Sequence, residues 1–153
     1  MTGPTREEAV RRLEQEVGVL LRRVRRAIGE RARAVDPELQ PSAYLMLGYI
    51  RENGPVRASV MCTVFDLDKG AVSRQVQHLL DLGFVDRAPD PSDGRATLLT
   101  VSAEAVRRMD AVAAERREGM AERLGDWTTG EMLELVGSLA RYNQALDAAH
   151  APA

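Results

Sequence analysis

The sequence predicts a mainly α-helical fold of six helices with one two-stranded β-hairpin. Three observations predict it. Aromatic residues make up only 4% of the 153 residues, so a core built mainly from Leu, Val, Met and Ala is expected, which favours helices. Apolar residues recur at intervals of three and four over most of the chain. Between Phe84 and Val101, two β-rich runs flank a segment rich in Pro, Asp and Gly.

The first two helices have clear start and stop signals. Thr5 and Glu8 form a capping-box pattern at the start of a helix that continues to about Arg33. Its apolar residues at helical spacing are Val10, Leu13, Val17, Leu20, Leu21, Val24 and Ile28. Pro41 suits the first turn of the second helix, which ends near residues 53–55. This helix is predicted to bury Tyr44, Leu45, Leu47 and Ile50.

A short helix over residues 57–65, a turn at Asp66 and Leu67, and a second helix capped by Asp68 follow. The apolar stripe of the second helix consists of Val72, Val76, Leu79 and Leu80. Gly83 is expected to end it in the left-handed conformation. Two helices joined by a short turn at this spacing are typical of a helix-turn-helix, whose second helix enters the DNA major groove.

The opposite face of this second helix carries groups that can bond to base edges or phosphates. Arg74 is the first candidate for reading guanine, and Gln75 or Gln77 for adenine. The other candidate DNA contacts are Arg57, Ser59, Lys69, Gly70, Ser73 and His78, of which Arg57, Ser59 and Lys69 are expected at phosphates. His78 could touch phosphate or make no contact. An ordinary solvated helix face is the alternative interpretation of these residues.

The hairpin is the predicted wing. Residues 88–95 contain two prolines and an Asp-Gly pair, which predict a loop with tight turns, and residues 97–101 predict the returning strand. Arg95 lies near the tip, where its charge can reach phosphates or a narrow minor groove. Asp93 is expected to hold the guanidinium of Arg95 in position.

Two helices end the chain. Ser102 caps the first, residues 125–127 break it, and Thr128 with Glu131 repeats the capping-box pattern. Their apolar stripes would be hard to bury in a monomer of this size, which favours an isologous homodimer. We therefore expect residues 1–36 and 102–150 to form a helical dimerisation region, and residues 37–101 to form the DNA-binding module.

Several of these runs resemble the MarR (multiple antibiotic resistance regulator) type of winged helix-turn-helix. The matching residues are Leu67-Asp68-Lys69, Val72-Ser73-Arg74, Leu79, Leu82-Gly83-Phe84-Val85 and Asp90-Pro91-Ser92-Asp93-Gly94-Arg95-Ala96. The resemblance implies a homodimeric repressor that binds a palindromic operator and responds to a small phenolic or other lipophilic effector. It also implies that Ser73 and Arg74 belong to the recognition helix, and Asp93 and Arg95 to the wing. The chain departs from the family at Gly70 and Ala71, where many members carry Ser or Thr, and at Gly94.

Composition bounds the partners. A net charge of -2 and a pI near 5.8 argue against a protein that coats nucleic acid, although local arginines can still support specific binding. A single cysteine excludes an intramolecular disulfide, and no segment looks like a membrane span or a secretory signal, so a cytoplasmic protein is expected.

The remaining candidates are weaker. Tyr44, with Leu13 and Val17, could line an effector pocket, but packing explains each equally well. Cys62 is interpreted as a small buried hydrophobe rather than a redox sensor. No catalytic triad, phosphate-binding loop or ligand-spaced Cys/His group is evident, so neither an enzyme nor a cofactor or metal site is expected. A winged-helix protein-interaction module without operator binding is the alternative.

Overall fold

The structure, a computed structural model, describes residues 3–150 as six α-helices and a three-stranded antiparallel sheet. The helices are α1 (Arg6–Val35), α2 (Pro41–Asn53), α3 (Ala58–Phe65), α4 (Lys69–Asp81), α5 (Ala103–Arg123) and α6 (Thr129–His150). The strands are β1 (Val56–Arg57), β2 (Val85–Asp90) and β3 (Asp93–Val101), in the spatial order β1-β3-β2. The mainly helical fold with a hairpin is confirmed, and β1 is a third strand that the sequence did not predict.

The chain divides into two compact units, one ending at Val112 and one beginning at Ala113. The first unit has one apolar core, to which α1 contributes only its C-terminal end. The largest fully buried side chains of this core are Phe84, Met46, Leu47, Ile50, Met61, Leu79, Leu99 and Val72. They come from α2, α3, α4, β3 and the segment before β2, so the core fixes the two helices of the helix-turn-helix against the sheet.

The predicted start of α1 is confirmed in detail. Glu8 N–H donates to Thr5 Oγ1 at 3.2 Å, and the Thr5 N–H donates to Glu8 Oε2 at 2.8 Å. Most of the apolar residues along α1, including Leu13 and Leu20, are exposed. Its N-terminal two thirds therefore have an apolar surface that the first unit leaves uncovered.

Helix α2 begins with Pro41 at its first turn, as predicted. The prediction that Leu45 is buried is wrong, because its side chain is 43% exposed. The buried positions of α2 are Ala43, Met46, Leu47 and Ile50. Since successive helical residues differ by about 100° in direction, Leu45 lies off the face that these four residues share.

The predicted long loop at the hairpin tip is also wrong. Strand β2 continues to Asp90 and β3 begins at Asp93, so only Pro91 and Ser92 connect them. The pairing continues through Pro89, opposite Thr97, with an irregularity between Pro89 and Asp90. Strand β2 is at the edge of the sheet, where a proline without an N–H is tolerated. The hairpin is thus paired over a longer stretch than its composition suggests.

The second unit contains the end of α5, a turn and α6. The predicted capping box at α6 is confirmed, since Glu131 N–H donates to Thr128 Oγ1 at 3.2 Å and Thr128 N–H donates to Glu131 Oε2 at 2.7 Å. Along α6, Leu133 is 64% exposed and Val136 is 60% exposed. In residues 3–150, no helix combines the length and the apolar character that crossing a membrane requires.

Candidate nucleic-acid interface

The helix-turn-helix is shaped by two local signals in the sequence. Asp66 ends α3 in the left-handed conformation with φ of 51°. Asp68 then caps α4, because its Oδ1 accepts the Ala71 N–H at 2.8 Å. The turn between the helices is therefore only three residues long, from Asp66 to Asp68. This short connection fixes the direction of α4 relative to α3.

Helix α4 separates into an apolar and a polar face. Val72, Val76 and Leu79 are buried, as predicted from their spacing, whereas Leu80, the fourth residue of the predicted stripe, is only half-buried against the core. The exposed side contains Lys69, Gly70, Ser73, Arg74 and Gln77, and Gln75 is half-buried. The core therefore presents hydroxyl, amide and cationic groups of one helix outward, which is the arrangement that direct reading of base edges requires.

Gly70 leaves room for Arg74 on this face. A Cβ added at Gly70 would lie 3.4 Å from Nη1 of Arg74 and 3.1 Å from Oδ1 of Asp68. The Arg74 side chain therefore extends back along α4 toward its N-terminus. A serine or threonine at position 70, as the resemblance leads one to expect, would crowd both the guanidinium and the cap.

Two candidates at the end of α4 are held by other protein groups. Gln77 Nε2 donates to Asp81 Oδ1 at 2.8 Å. His78 Nε2 donates to the carbonyl oxygen of Glu38 at 2.9 Å, in the segment between α1 and α2. This contact gives His78 a structural role, because it ties α4 to the chain that precedes α2.

The structure places Arg57 differently from the prediction. Its side chain was expected to face phosphate, but Nε donates to Asp90 Oδ2 at 2.6 Å. Ser59, near the start of α3, is exposed as a phosphate contact would require. Asp90 is in the run that resembles the family, but the sequence predicts no role for it. The signal that could have found it is the order Asp-Pro-Ser, since a carboxylate often accepts the N–H two residues later in a turn.

At the hairpin tip, Arg95 is exposed and Asp93 does not hold its guanidinium. Asp93 Oδ1 instead accepts the backbone N–H of Arg95 at 3.1 Å. Its Oδ2 lies 3.9 Å from Nη1 of Arg57. The prediction about Asp93 is therefore corrected: it fixes the backbone at Arg95 and leaves the Arg95 side chain free to extend.

A cavity of about 380 Å³ lies between α3, α4 and the sheet. Its lining consists of Ala58, Ser59, Cys62, Lys69, Val72, Ser73, Val76, Arg87, Thr97 and Leu99. The floor is apolar, and Lys69 and Arg87 provide positive charge. None of the residues predicted to line a pocket takes part: Leu13 is exposed on α1, Val17 is half-buried there, and Tyr44 packs against the core on α2.

Ionic contacts join the start of α5 to the rest of the first unit. Arg108 donates from Nη1 to Asp36 Oδ2 at 2.9 Å and from Nε to Glu104 Oε1 at 2.7 Å, and its guanidinium lies 5.4 Å from the centre of the Phe84 ring. Hydrogen bonds from Arg107 and then from Arg108 lower the pKa of Glu104 from 4.5 to about 2. Ser102 Oγ also donates to the Gly83 carbonyl at 2.7 Å, which links α5 to the end of α4.

In residues 3–147, no group of three or more His, Cys, Asp or Glu side chains is arranged to hold a metal ion. The first unit contains two helices in the helix-turn-helix arrangement, a polar recognition face on the second of them, and a hairpin with an arginine near its tip. Together these features define a winged helix-turn-helix DNA-binding protein.

Comparison with known proteins identifies the family. The model of the MarR family matches residues 38–96. YxaD of Bacillus subtilis strain 168, an uncharacterized HTH-type transcriptional regulator, is 35% identical over 108 residues, which cover 70% of this chain and 75% of YxaD. The chain belongs to the MarR family of DNA-binding transcriptional regulators.

Solved structures agree with this assignment. A probable transcriptional regulator from Pseudomonas aeruginosa is 26% identical, with a TM-score of 0.58 over 85% of this chain and 98% of that one. A MarR transcriptional regulator from Methanosarcina mazei Go1 has a TM-score of 0.69 over 88% of this chain and 96% of its own. At 17% identity, the second comparison supports the fold alone.

Proposed function

We propose that this regulator is a repressor that binds a palindromic operator as a homodimer and responds to a small lipophilic or phenolic effector. The observation that carries the DNA-binding part is the polar face of α4, which the buried stripe on the other side holds outward. Repression would follow from occupation of the operator, which excludes other proteins from the same DNA.

The base-reading residues of the proposal lie on α4. Arg74 is the first candidate, because a guanidinium can bond to both acceptors of a guanine. Ser73, Gln75 and Gln77 are the other candidates for base edges, while Lys69 and Ser59 contact phosphate. Gln77 remains a candidate because its bond to Asp81 uses one amide N–H and leaves the other N–H and the amide oxygen. Gly70 takes part by leaving room for the Arg74 side chain.

The hairpin provides the second contact of the proposal, through Arg95 in a minor groove or at its phosphates. Arg57, His78 and Asp93 support this interface rather than touch DNA, since each bonds to another part of the protein.

The homodimer is supported by the apolar side chains that α1 and α6 leave exposed, including Leu13 and Leu20 on α1 and Leu133 and Val136 on α6. A second copy would remove this surface from water. A two-fold dimer also presents two α4 helices to the two halves of a palindrome. The helices outside residues 37–101 thus form the proposed dimerisation region.

The effector is proposed to bind in the cavity between α3, α4 and the sheet. Its apolar floor suits an aromatic ring, and Lys69 and Arg87 suit a phenolate or carboxylate. Because Lys69 and Ser73 line this cavity and also lie on the proposed DNA-binding face, a bound effector would compete with the operator or displace α4.

Operator binding tests the proposal. Sites protected by the protein in the source genome give the operator, and fluorescence anisotropy then measures affinity at several salt concentrations. Arg74→Ala is expected to lose about 1–3 kcal/mol of discrimination between the operator and a version with the contacted guanine replaced. Arg95→Ala should weaken binding on all sequences more evenly and lower the slope of log affinity against log salt by about 1.

Arg51→Ala is the matched control, because it removes one arginine from α2, outside both the proposed DNA contacts and the proposed dimerisation region. If Arg74→Ala and Arg95→Ala both bind like the parent, the residue assignments are wrong. If the parent shows no operator-selective binding at any ionic strength, the winged-helix protein-interaction module is the better interpretation.

A further inference from the structure

Arg57 joins the start of the helix-turn-helix to the tip of the hairpin. It is the last residue of β1 and the N-cap of α3, and 33 positions separate it from Asp90 at the end of β2. Its Nε and Nη2 both contact Asp90 Oδ2, while Nη2 lies 3.4 Å from Ser92 Oγ. One side chain therefore reaches both residues that flank Pro91 in the tip.

The carboxylate of Asp90 is fully engaged. Oδ2 accepts from Arg57, and Oδ1 accepts the Ser92 N–H at 2.9 Å and the Ser92 hydroxyl at 2.8 Å. Asp90 is only 7% exposed and is the one buried charged residue in residues 3–147. A buried carboxylate that lost its arginine would remain as an uncompensated charge, so the pair resists separation.

The same contacts reach the residue proposed to touch DNA. Arg57 Nη1 lies 3.9 Å from Asp93 Oδ2, and the other oxygen of Asp93 accepts the backbone N–H of Arg95. The path from the N-terminus of α3 to the Arg95 backbone thus consists of two carboxylates and one guanidinium. A shift of the hairpin tip would break several charge-assisted bonds at once.

We propose that Arg57 is a positioning residue for DNA recognition: its pairing with Asp90 holds the hairpin tip at a fixed place relative to α3 and α4, so that Arg95 and the recognition helix engage the same operator together. Arg57 does not itself bind phosphate. The inference rests on the proposed contact of Arg95 with DNA.

The direction in which one substitution changes operator affinity distinguishes a positioning role of Arg57 from a direct contact with phosphate. Asp90→Asn keeps the shape of the side chain and removes a negative charge near the DNA. If Arg57 bound phosphate directly, the substitution would free Arg57 and reduce repulsion, and operator affinity would rise. Positioning predicts that Asp90→Asn and Arg57→Gln both weaken operator binding, by roughly 3- to 30-fold, the effect expected for residues in one bonded network.

The second measurement repeats Arg57→Gln in the Arg95→Ala background. Positioning predicts that Arg57→Gln then changes affinity by less than about twofold, because the contact it positions is already absent. It also predicts no further decrease in the salt slope of that background. A direct phosphate contact would give the same loss in both backgrounds and lower the slope by about 0.9.

Arg51→Gln is the control for removal of one positive charge, because Arg51 on α2 is also a paired arginine and is not among the proposed DNA contacts. Urea unfolding checks that each variant is folded at the assay temperature. Should Arg57→Gln fail to fold, the sign of the effect of Asp90→Asn decides the question alone. If the parent binds its operator and Asp90→Asn binds it equally well or more tightly, the inference about Arg57 is wrong and the proposed function stands. A parent that binds no operator overturns both.

Discussion

Arg57 and Arg74 have the same guanidinium group but different surroundings. Arg57 pairs with a buried carboxylate, whereas Arg74 forms no ion pair within residues 3–150 and lies along an exposed helix face beside Gly70. An unpaired guanidinium keeps all its donors for a base, whereas that of Arg57 already donates from Nε and Nη2 to the hairpin tip. This difference in partners, rather than residue type, separates the proposed base-reading arginine from the positioning arginine.

Glu104 gives a residue-scale prediction about acid stability. Its pKa is lowered to about 2 by Arg107 first and Arg108 second, so the folded chain binds fewer protons at Glu104 than the unfolded chain does. The stabilisation is therefore complete above the ordinary value of 4.5 and is lost as pH falls toward 2. Glu104→Gln should make the acid-induced fall in the free energy of unfolding shallower, measured by urea unfolding from pH about 6 to about 3.

Part of the acid-induced fall in the free energy of unfolding should remain in Glu104→Gln, because the pKa of Asp90 is also lowered. The hydrogen bond from the Ser92 N–H is the largest cause of that lowering. Glu115→Gln is the control, since it removes a carboxylate of the same helix that bonds to no arginine in residues 3–150. If the free energy of unfolding of Glu104→Gln falls with pH as steeply as that of the parent, the role assigned to the Arg107 and Arg108 contacts is wrong.

At the scale of elements, α3, α4 and the sheet line the cavity proposed for the effector. Ala58 is in its lining at the first turn of α3, so Ala58→Leu is expected to fill part of the volume. The parent should release operator DNA when a phenolic acid such as salicylate is added, and Ala58→Leu should bind the operator but respond to at least tenfold higher concentrations. Titration of preformed complexes by fluorescence anisotropy measures this response.

Val60→Leu is the matched control, because Val60 is exposed on the same helix and is absent from the cavity lining. If Ala58→Leu responds as the parent does, the effector binds elsewhere. If salicylate and a panel of related aromatic acids leave the parent complex intact, the phenolic class of effector is wrong.

At the scale of the whole molecule, the proposed homodimer predicts a concentration-dependent mass. Val136→Glu places a charge on the exposed apolar surface of α6, where a second copy would have to bury it. The parent should sediment as a dimer at micromolar concentration, and the variant should sediment as a monomer with operator affinity at least tenfold weaker. Glu134→Gln, on the same helix, should behave as the parent does.

A parent that is a single subunit both in solution and on DNA would contradict the dimer. A variant that remains a dimer with unchanged DNA binding would show instead that α6 lies outside the interface.

The sequence was sufficient for features that depend on residues close together in the chain. The capping boxes at Thr5 and Thr128 and the cap at Asp68 follow from short spacings and are confirmed. The stripe predicted on α4 is confirmed at three of its four residues, since Leu80 is only half-buried. The helix-turn-helix and the family could be predicted from the sequence for the same reason, since a short turn between two capped helices is a local pattern. These features need no knowledge of what packs against them.

Only the tertiary structure decided the partners of the polar side chains that bond to distant segments of the chain. The segment predicted to be a loop from its Pro, Asp and Gly residues is instead part of a paired hairpin. The edge strand β2 forms backbone hydrogen bonds with β3 there, and this pairing overrides the local turn preference. Arg57 meets Asp90 across 33 positions, and His78 meets Glu38 across 40. Local propensity carries no information about such distant contacts. The chain itself thus determined which groups form the recognition face, and the packing of distant segments determined which of the predicted contacts are already bonded to protein.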